Sequence, residues 1–238
     1  MEARYVIFDL DDTLVHSDAV REAFGIVADA HEIDRRTLTR TLDGLPGRPA
    51  KEIFDALGLD AREAIDATDR FLGILDELNH QAPPVAYPDA DTTLRELAAQ
   101  GAQLLLSTGS SPERAKRVLD HEGWDGFSVV LGSDQTCSKG VAHYDRFAQE
   151  TPDSEWTHRA VTVGDSPQDM RLGAEHGVPI RIGVDRSGDP RALLAAGATH
   201  VVNALAEIVP IVASARCGFD HRVSRQTRLR PSYERRFE

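Results

Sequence analysis

The chain has 238 residues and a formal net charge of −12, with 41% hydrophobic and 28% charged residues. This composition is typical of a globular protein with a sizeable core, and no apolar run approaches the ~20 residues that a membrane helix needs. The acidic balance argues against nucleic acid as a partner of the main body.

Two cysteines, Cys137 and Cys217, are too few for a disulfide framework and have no metal-site spacing. The first predicted strand begins near Arg4, which leaves no room for a signal peptide. We therefore expect a cytoplasmic protein without a membrane partner, either a monomer or a homodimer.

Short, nearly continuous apolar runs alternate with helical patterns along most of the chain. Such runs are typical of parallel strands that are buried on both faces. The predicted strands are Arg4–Asp9, Ala102–Ser107, Phe127–Leu131, Ala160–Gly164, Val178–Ile182 and His200–Val202. Their alternation with helices predicts an α/β fold with a doubly wound, Rossmann-like parallel sheet.

One stretch, from about His16 to Pro84, has no strand pattern, and its apolar residues recur at helical spacing. The first group at helical spacing is Val20, Ala23, Phe24 and Val27. A second helix, between Pro49 and Gly58, carries Ile53, Phe54 and Leu57. A long third helix begins near Asp60 and carries Ile65, Leu72 and Leu75. The pattern predicts a helical insert at residues 16–84 in an α/β core of residues 1–15 and 85–213.

Two later helices carry clear start and stop signals. Ser111-Pro112 and Ser166-Pro167 each supply an N-cap and a proline at the first helical position. Gly123 and Gly177 are placed to end these helices.

The last segment, residues 214–238, differs in composition from the rest. It contains seven arginines, the first at Arg216, and lacks apolar periodicity. We expect a disordered, solvated tail. A contact with a polyanion or with the acidic body of the protein is the alternative.

Polar residues follow four of the predicted strands. In open α/β sheets, ligands bind beyond the carboxyl ends of the strands, so these residues are expected to converge. In chain order they are Asp9 and Asp11, Ser107 and Thr108, Lys139, and Asp165 with Asp169. Clustered carboxylates favour a hard divalent cation such as Mg²⁺, and an aspartate can attack phosphorus to form an aspartyl-phosphate. The set therefore predicts phosphoryl chemistry.

These residues lie in four motifs that resemble those of the haloacid dehalogenase superfamily of phosphatases. The motifs are "DLDDT" (9–13), the serine of "LLLSTG" (104–109), the lysine of "SKG" (138–140) and "GDSPQD" (164–169). The resemblance covers residues 4 to 212, and its helical cap is expected where the insert lies. The stretch "GLPGRPAKEIFDALGL" (44–59) is similar to caps of phosphoglycolate phosphatase-like members.

The resemblance implies a role for each motif residue. Asp9 is the nucleophile and a magnesium ligand, and Asp11 is the general acid/base that also ligates the metal through its main-chain carbonyl. Ser107 and Lys139 hold the phosphoryl group, with Thr108 near it. Asp165 ligates magnesium, and Asp169 supports the metal. The implied enzyme is a magnesium-dependent phosphatase that acts on a small phosphorylated metabolite.

Several residues have an ordinary structural interpretation as well. Asp169 is placed to cap a helix in an S-x-x-D box, and Ser107 to be a plain strand-end hydroxyl. Gly140 departs from the proline that usually follows the motif lysine, which puts the role of Lys139 in doubt. Arg48 is either a substrate-binding residue of the cap or a solvated loop arginine. Asp12, His16 and Lys51 are expected to be surface residues.

The residues also leave other functions open. A phosphomutase on the same fold would use the same motifs, and no residue decides between mutase and hydrolase. A phospho-receiver signalling module shares the chemistry but lacks the insert and the late "GDxxxD". A non-catalytic binding protein is disfavoured by the intact acids. A dehalogenase would not need Asp11, and a phosphonate hydrolase would need a cap lysine, for which Lys51 is the candidate.

Overall fold

The computed structural model describes residues 3–16, 18–45, 48–134, 136–186 and 188–217. Its main feature is a six-stranded sheet with parallel pairings throughout, in the order β5-β4-β1-β6-β7-β8. The strands are β1 (Tyr5–Phe8), β4 (Gln103–Ser107), β5 (Phe127–Leu131), β6 (Ala160–Gly164), β7 (Ile180–Val184) and β8 (His200–Val202). The predicted doubly wound α/β fold is confirmed.

Strand β7 begins two residues later than predicted. The main-chain N–H of Val178 donates to the carbonyl of Gly173, 2.8 Å away, in the turn that ends the preceding helix. Val178 is buried, but its N–H is committed to that turn, so sheet pairing starts at Ile180. Its apolar character reflects its place in a buried cluster with Tyr144, Phe147 and Trp156, and not a strand position.

In the described part of the chain, six helices alternate with these strands or follow the last of them. They are α5 (Ala90–Ala99), α6 (Pro112–Glu122), α7 (Val141–Glu150), α8 (Pro167–Glu175), α9 (Arg191–Ala195) and α10 (Ile208–Cys217), with short 3₁₀ turns at Trp156–Arg159 and Leu205–Glu207. The predicted caps are confirmed: the Ser111 side chain accepts from the Arg114 N–H, and Ser166 forms a capping box. Gly123 and Gly177 adopt φ of 69° and 72°, which favours glycine.

The register of the sheet places the predicted site residues side by side. Phe8 lies opposite Leu106 on β4 and Val163 on β6. The residues that come next, at the carboxyl ends of these central strands, are therefore neighbours on one edge of the sheet. Strands β1, β4 and β6 are almost entirely buried, so this edge is held by the main apolar core.

The stretch between β1 and α5 is mainly helical, as predicted. It contains α1 (Ala19–Ala30), α2 (Arg35–Gly44), α3 (Ala50–Ala56) and α4 (Ala61–Gln81). These helices share a second apolar core, separate from that of the sheet. At its centre Phe71 packs against Phe24, with ring centroids 4.2 Å apart, and against Phe54. The aromatic cluster thus joins α1, α3 and α4.

The buried face of α4 differs from the predicted one. Ile65 and Leu72 are 51% and 47% exposed, so the prediction that they face the core is wrong. The buried residues are instead Ala64, Ala67, Phe71, Leu75 and Asn79. Two of these five residues are alanines, so the larger apolar side chains of Ile65 and Leu72 hid the buried face in the sequence.

A short pair of strands that the sequence did not predict joins the helical segment to the core. β2 (Val15–His16) pairs antiparallel with β3 (Val85–Ala86), so the two chain crossings run side by side. Arg186 donates to the Thr13 carbonyl, 3.1 Å away, and lies over the Tyr87 ring. With two residues each, these strands are too short for an alternation pattern to be read.

Helix α10 runs through Cys217, so the first residues of the predicted tail are helical. Residues 218–238, which hold most of its arginines, lie outside the described residues. Within the described ranges, no helix combines the length and apolar character that a membrane crossing requires.

Candidate active site

Three aspartates lie together at the carboxyl edge of the sheet. Asp9 follows β1, Asp165 follows β6, and Asp169 lies in the first turn of α8. One carboxylate oxygen from each lies within 4.8 Å of the others, and Asp9 and Asp169 are 7% and 4% exposed. The buried Thr13 hydroxyl donates to Asp165 Oδ1 at 3.3 Å. Residues from distant parts of the sequence thus form one acidic cluster.

Lys139 contacts two of these carboxylates. Its Nζ lies 2.7 Å from Asp9 Oδ1 and 2.8 Å from Asp169 Oδ1, and its side chain is 9% exposed. The main-chain N–H of Lys139 donates to Ser133 Oγ, which itself donates to the carbonyl of Thr108. These bonds tie the lysine loop to the end of β4 and direct the side chain to the acidic cluster.

The departure at Gly140 has a structural reason. Gly140 adopts φ of 151° as the residue before α7, a conformation that favours glycine and that proline, restricted to φ near −65°, cannot adopt. The chain therefore enters α7 by another backbone route while the lysine still reaches the carboxylates.

Burial and crowding perturb the charges of this cluster. Burial raises the pKa of Asp9 to about 7, although Lys139 opposes the shift. Burial and the charge of Asp9 raise the pKa of Asp165 well above its usual range. For Lys139, the charges of Asp169 and Asp9 outweigh burial and hold the pKa above its usual value. Three carboxylates against one ammonium leave an excess of negative charge, which a divalent cation would neutralise.

Asp169 both caps α8 and belongs to the acidic cluster, and its support of a metal stays a prediction. Its Oδ2 accepts from the Ser166 hydroxyl at 2.6 Å and from the Ser166 N–H at 3.2 Å, while Oδ1 contacts Lys139. A Cβ at Gly164 would lie 2.3 Å from Asp169 Oδ2, so a side chain at 164 would displace the carboxylate. The helix cap thus fixes the orientation of an acid that belongs to the cluster.

The Asp11 side chain is held apart from the three clustered carboxylates. Its two oxygens accept from Arg114 Nη2 at 2.6 Å and Nη1 at 2.8 Å, and Ser110 Oγ donates to it at 2.7 Å. Arg114 is 4% exposed, whereas the Asp11 side chain is 26% exposed. The arrangement is a two-pronged ion pair at the entrance of α6.

Arg114 was not expected at this site from the sequence. A signal was present, because Arg114 occupies the third position of α6, where the helix dipole disfavours a cation. Such a mismatch indicates a cation that is held by an acid elsewhere in the chain.

Ser107 and Thr108 are both buried at the end of β4. Ser107 Oγ lies 2.9 Å from Nδ1 of His143, a residue that sequence reasoning missed. The Thr108 N–H donates to the Leu131 carbonyl, and its Oγ1 accepts from the Ser110 N–H. Thr108 thus stabilises the turn after β4, and its proximity to a substrate stays a prediction.

The remaining candidates are surface residues in this structure. Arg48 Nη1 forms an exposed ion pair with Glu52 at 3.2 Å, and Lys51 forms another with Asp55. Asp12 is exposed and lies near His16. It also has φ of 58°, which aspartate tolerates better than most residues. The structure places Arg48 beside Glu52, and a role for it in substrate binding stays a prediction.

Comparison with known proteins gives consistent results. Residues 6–182 match the family described as haloacid dehalogenase-like hydrolase. The chain is 31% identical to a phosphoglycolate phosphatase of Rhodospirillum rubrum over 186 residues, which cover 74% of this chain and 77% of the relative. Its fold is similar to that of a predicted phosphatase from Clostridium acetobutylicum (TM-score 0.74, 23% identity, 90% of this chain and 100% of that one). A putative beta-phosphoglucomutase from Thermotoga maritima is also similar (TM-score 0.64, 21% identity, 89% and 99%).

Proposed function

This chain belongs to the haloacid dehalogenase-like hydrolase family, and we propose that it is a magnesium-dependent phosphatase that hydrolyses a small phosphomonoester through an aspartyl-phosphate. One observation carries the proposal. Asp9, at the end of strand β1, contacts Lys139 and lies in a cluster of three carboxylates, of which Asp9 and Asp169 are buried. A nucleophile, a cation for the phosphoryl oxygens and a divalent-metal site are thus combined at one position.

The donor set fits a hard divalent cation. Asp9, Asp165 and Asp169 offer carboxylate oxygens within 4.8 Å of one another. Burial, together with the charges of neighbouring carboxylates, raises the pKa of Asp9 and of Asp165, a shift that a bound divalent cation would oppose. These residues would hold Mg²⁺, which prefers oxygen ligands. When bound, the ion would offset the charge of the phosphoryl group. We also propose the Asp11 main-chain carbonyl as a ligand.

The side chains around the metal site have separate roles in the proposed reaction. We propose that Asp9 Oδ2, the oxygen that Lys139 leaves free, attacks phosphorus while Lys139 holds a phosphoryl oxygen. Ser107, with Thr108 beside it, binds the same group at the end of β4. Asp11 donates a proton to the leaving oxygen and later removes one from water. Since its carboxylate is bound to Arg114 in this structure, acid–base work requires Asp11 to exchange that partner.

The relatives and the helical segment support a proposal for the substrate class. We propose that residues 1–15 and 85–213 form the catalytic core and that residues 16–84 form a cap over it. Similarity to phosphoglycolate phosphatases supports a phosphoglycolate-like or sugar phosphate substrate. A phosphomutase with the same residues is the main rival, and release of inorganic phosphate distinguishes the two. Family membership disfavours the phospho-receiver alternative.

We expect phosphatase activity to require magnesium. A panel of phosphomonoesters should release phosphate with Mg²⁺ and not with EDTA, and Ca²⁺ should inhibit because it prefers a larger, looser coordination shell. Protons compete with the metal for Asp9 and Asp165, so the Mg²⁺ needed for half-maximal activity should rise as pH falls below about 7. Full activity in EDTA would contradict the metal site.

We expect Arg48 to select substrates that carry a second anion. A guanidinium binds a carboxylate bidentately, so Arg48→Ala should raise KM for phosphoglycolate about tenfold and leave KM unchanged for an alkyl phosphate that has no second anionic group. Lys51→Ala is the matched control, because Lys51 forms the same kind of exposed ion pair one turn further on. If KM changed equally for the two substrates, or equally in the two variants, Arg48 would be a solvated loop residue without a role in substrate binding.

A further inference from the structure

His143 is a buried titratable side chain to which the proposed mechanism gives no role. It lies in the first turn of α7 and has 0% exposed surface. Its Nδ1 lies 2.9 Å from Ser107 Oγ, and its Nε2 lies 3.2 Å from the Gly132 carbonyl oxygen. The ring therefore joins α7 to the ends of β4 and β5.

The partners of the ring determine where its hydrogen lies. A carbonyl oxygen only accepts hydrogen bonds, so Nε2 must carry the hydrogen that Gly132 receives. Burial lowers the pKa of His143 to about 4, and the charge of Lys139 acts in the same direction while the bond to Gly132 opposes it. The ring is thus neutral near pH 7 and has one N–H. Nδ1 is a bare acceptor, and the Ser107 hydroxyl donates to it.

We propose that His143 is a positioning residue for Ser107, and that its Nδ1 fixes the Ser107 hydroxyl at the place where it meets the phosphoryl group. A free serine side chain has three staggered positions, and a bond to an immobile buried ring selects one of them. When a phosphoryl group binds, the hydroxyl hydrogen is shared between Nδ1 and a phosphoryl oxygen, so Oγ keeps its place and Nδ1 keeps its donor. This inference rests on the proposed phosphatase function.

The first test needs neither metal nor substrate. In ¹⁵N–¹H spectra of the unliganded protein at pH 7, the His143 signals, assigned by their loss in His143→Asn, should show a protonated Nε2 and a bare Nδ1. The Nδ1 shift should move in Ser107→Ala, which removes its donor. A protonated Nδ1 would overturn the proposal, because Ser107 would then accept from the ring and its own hydrogen would be unconstrained.

The second test is kinetic and uses two substitutions of opposite design. His143→Gln keeps a donor near Gly132 but withdraws the acceptor from Ser107, whereas His143→Asn keeps an acceptor at the Nδ1 position. We expect the glutamine variant to raise KM for a phosphomonoester about tenfold with kcat within about twofold, and the asparagine variant to recover most of that loss. An unchanged KM in His143→Gln would overturn the proposal.

Two controls separate positioning from general damage to the fold. Tyr144→Phe removes the buried contact between Tyr144 and Thr162 from the same helix, and should lower thermal stability without changing KM. In a Ser107→Ala background, His143→Gln should have no further effect on KM, because His143 acts through Ser107. Additive effects of the two substitutions would contradict the inference.

The two proposals fail in different ways. If no phosphomonoester is hydrolysed, the proposed function is wrong, and the tautomer of His143 in the unliganded protein still decides whether the ring holds Ser107. If phosphate is released normally but His143 carries its hydrogen on Nδ1, the phosphatase function stands and the positioning role is wrong.

Discussion

Asp9→Asn is expected to abolish phosphate release, lowering kcat by at least about 10⁴-fold. An amide is a poor nucleophile, and every later step of the proposed mechanism depends on the aspartyl-phosphate that Asp9 forms. The measurement is steady-state release of inorganic phosphate with magnesium present, together with mass spectrometry, which should find no phosphorylated protein.

The loss should come from chemistry and not from unfolding. Burial raises the pKa of Asp9 from 3.8 to about 7. Ionising this carboxyl therefore destabilises the fold, and the free energy of unfolding falls as the pH rises between these two values. Asparagine removes that cost, and the metal-free variant should be at least as stable as the parent at pH 8. Lys139 keeps a carboxylate partner in Asp169. Thermal unfolding of both proteins measures this.

Asp12→Asn is the matched control. It makes the same chemical change three residues away, at an exposed side chain whose positive φ asparagine also tolerates. This variant should keep the parent activity. If Asp9→Asn remained active, or if Asp12→Asn lost activity to the same extent, Asp9 would not be the nucleophile.

The sequence was sufficient for the fold class because the evidence for it is local. Each buried strand reads as an apolar run, and parallel strands bring their carboxyl ends to one edge, so Asp9, Asp165 and Lys139 could be expected to meet without knowledge of any contact. The structure does bring them together, with Asp169. The serine N-caps and glycine stops were predictable for the same reason, since each involves neighbours in the chain.

What the sequence could not reveal depends on packing between distant segments. Arg114 meets Asp11 across 103 residues, and His143 meets Ser107 across 36. A buried arginine or histidine has no periodic pattern of its own, so its partner is known only once the helices are placed on the sheet. The error at Ile65 has the same origin: the face that α4 buries depends on its packing with α1 and α3, where Phe71 meets Phe24 and Phe54.

Asp11→Asn is expected to separate the two chemical steps. A p-nitrophenolate leaves without protonation, so the variant should still transfer the phosphoryl group of p-nitrophenyl phosphate to Asp9. Attack by water then lacks its base, which is typically worth about 10² to 10⁴ in rate. The variant should show a burst of p-nitrophenolate and a mass increase of about 80 Da, as expected for a phosphoryl group on a carboxylate. An alkyl phosphate should give neither.

The ion pair with Arg114 makes a stability control necessary. Asp11→Asn leaves a buried guanidinium without its charged partner, which we expect to cost about 1–3 kcal/mol, less than for a fully buried pair because the Asp11 side chain is 26% exposed. Adding Arg114→Met removes the unpaired cation and should restore stability. If the defect of Asp11→Asn is the loss of acid–base catalysis, the double variant should still accumulate the phosphoenzyme. If it instead hydrolyses both substrates at the parent rate, Asp11 is not the acid/base, and the defect of the single variant came from the fold.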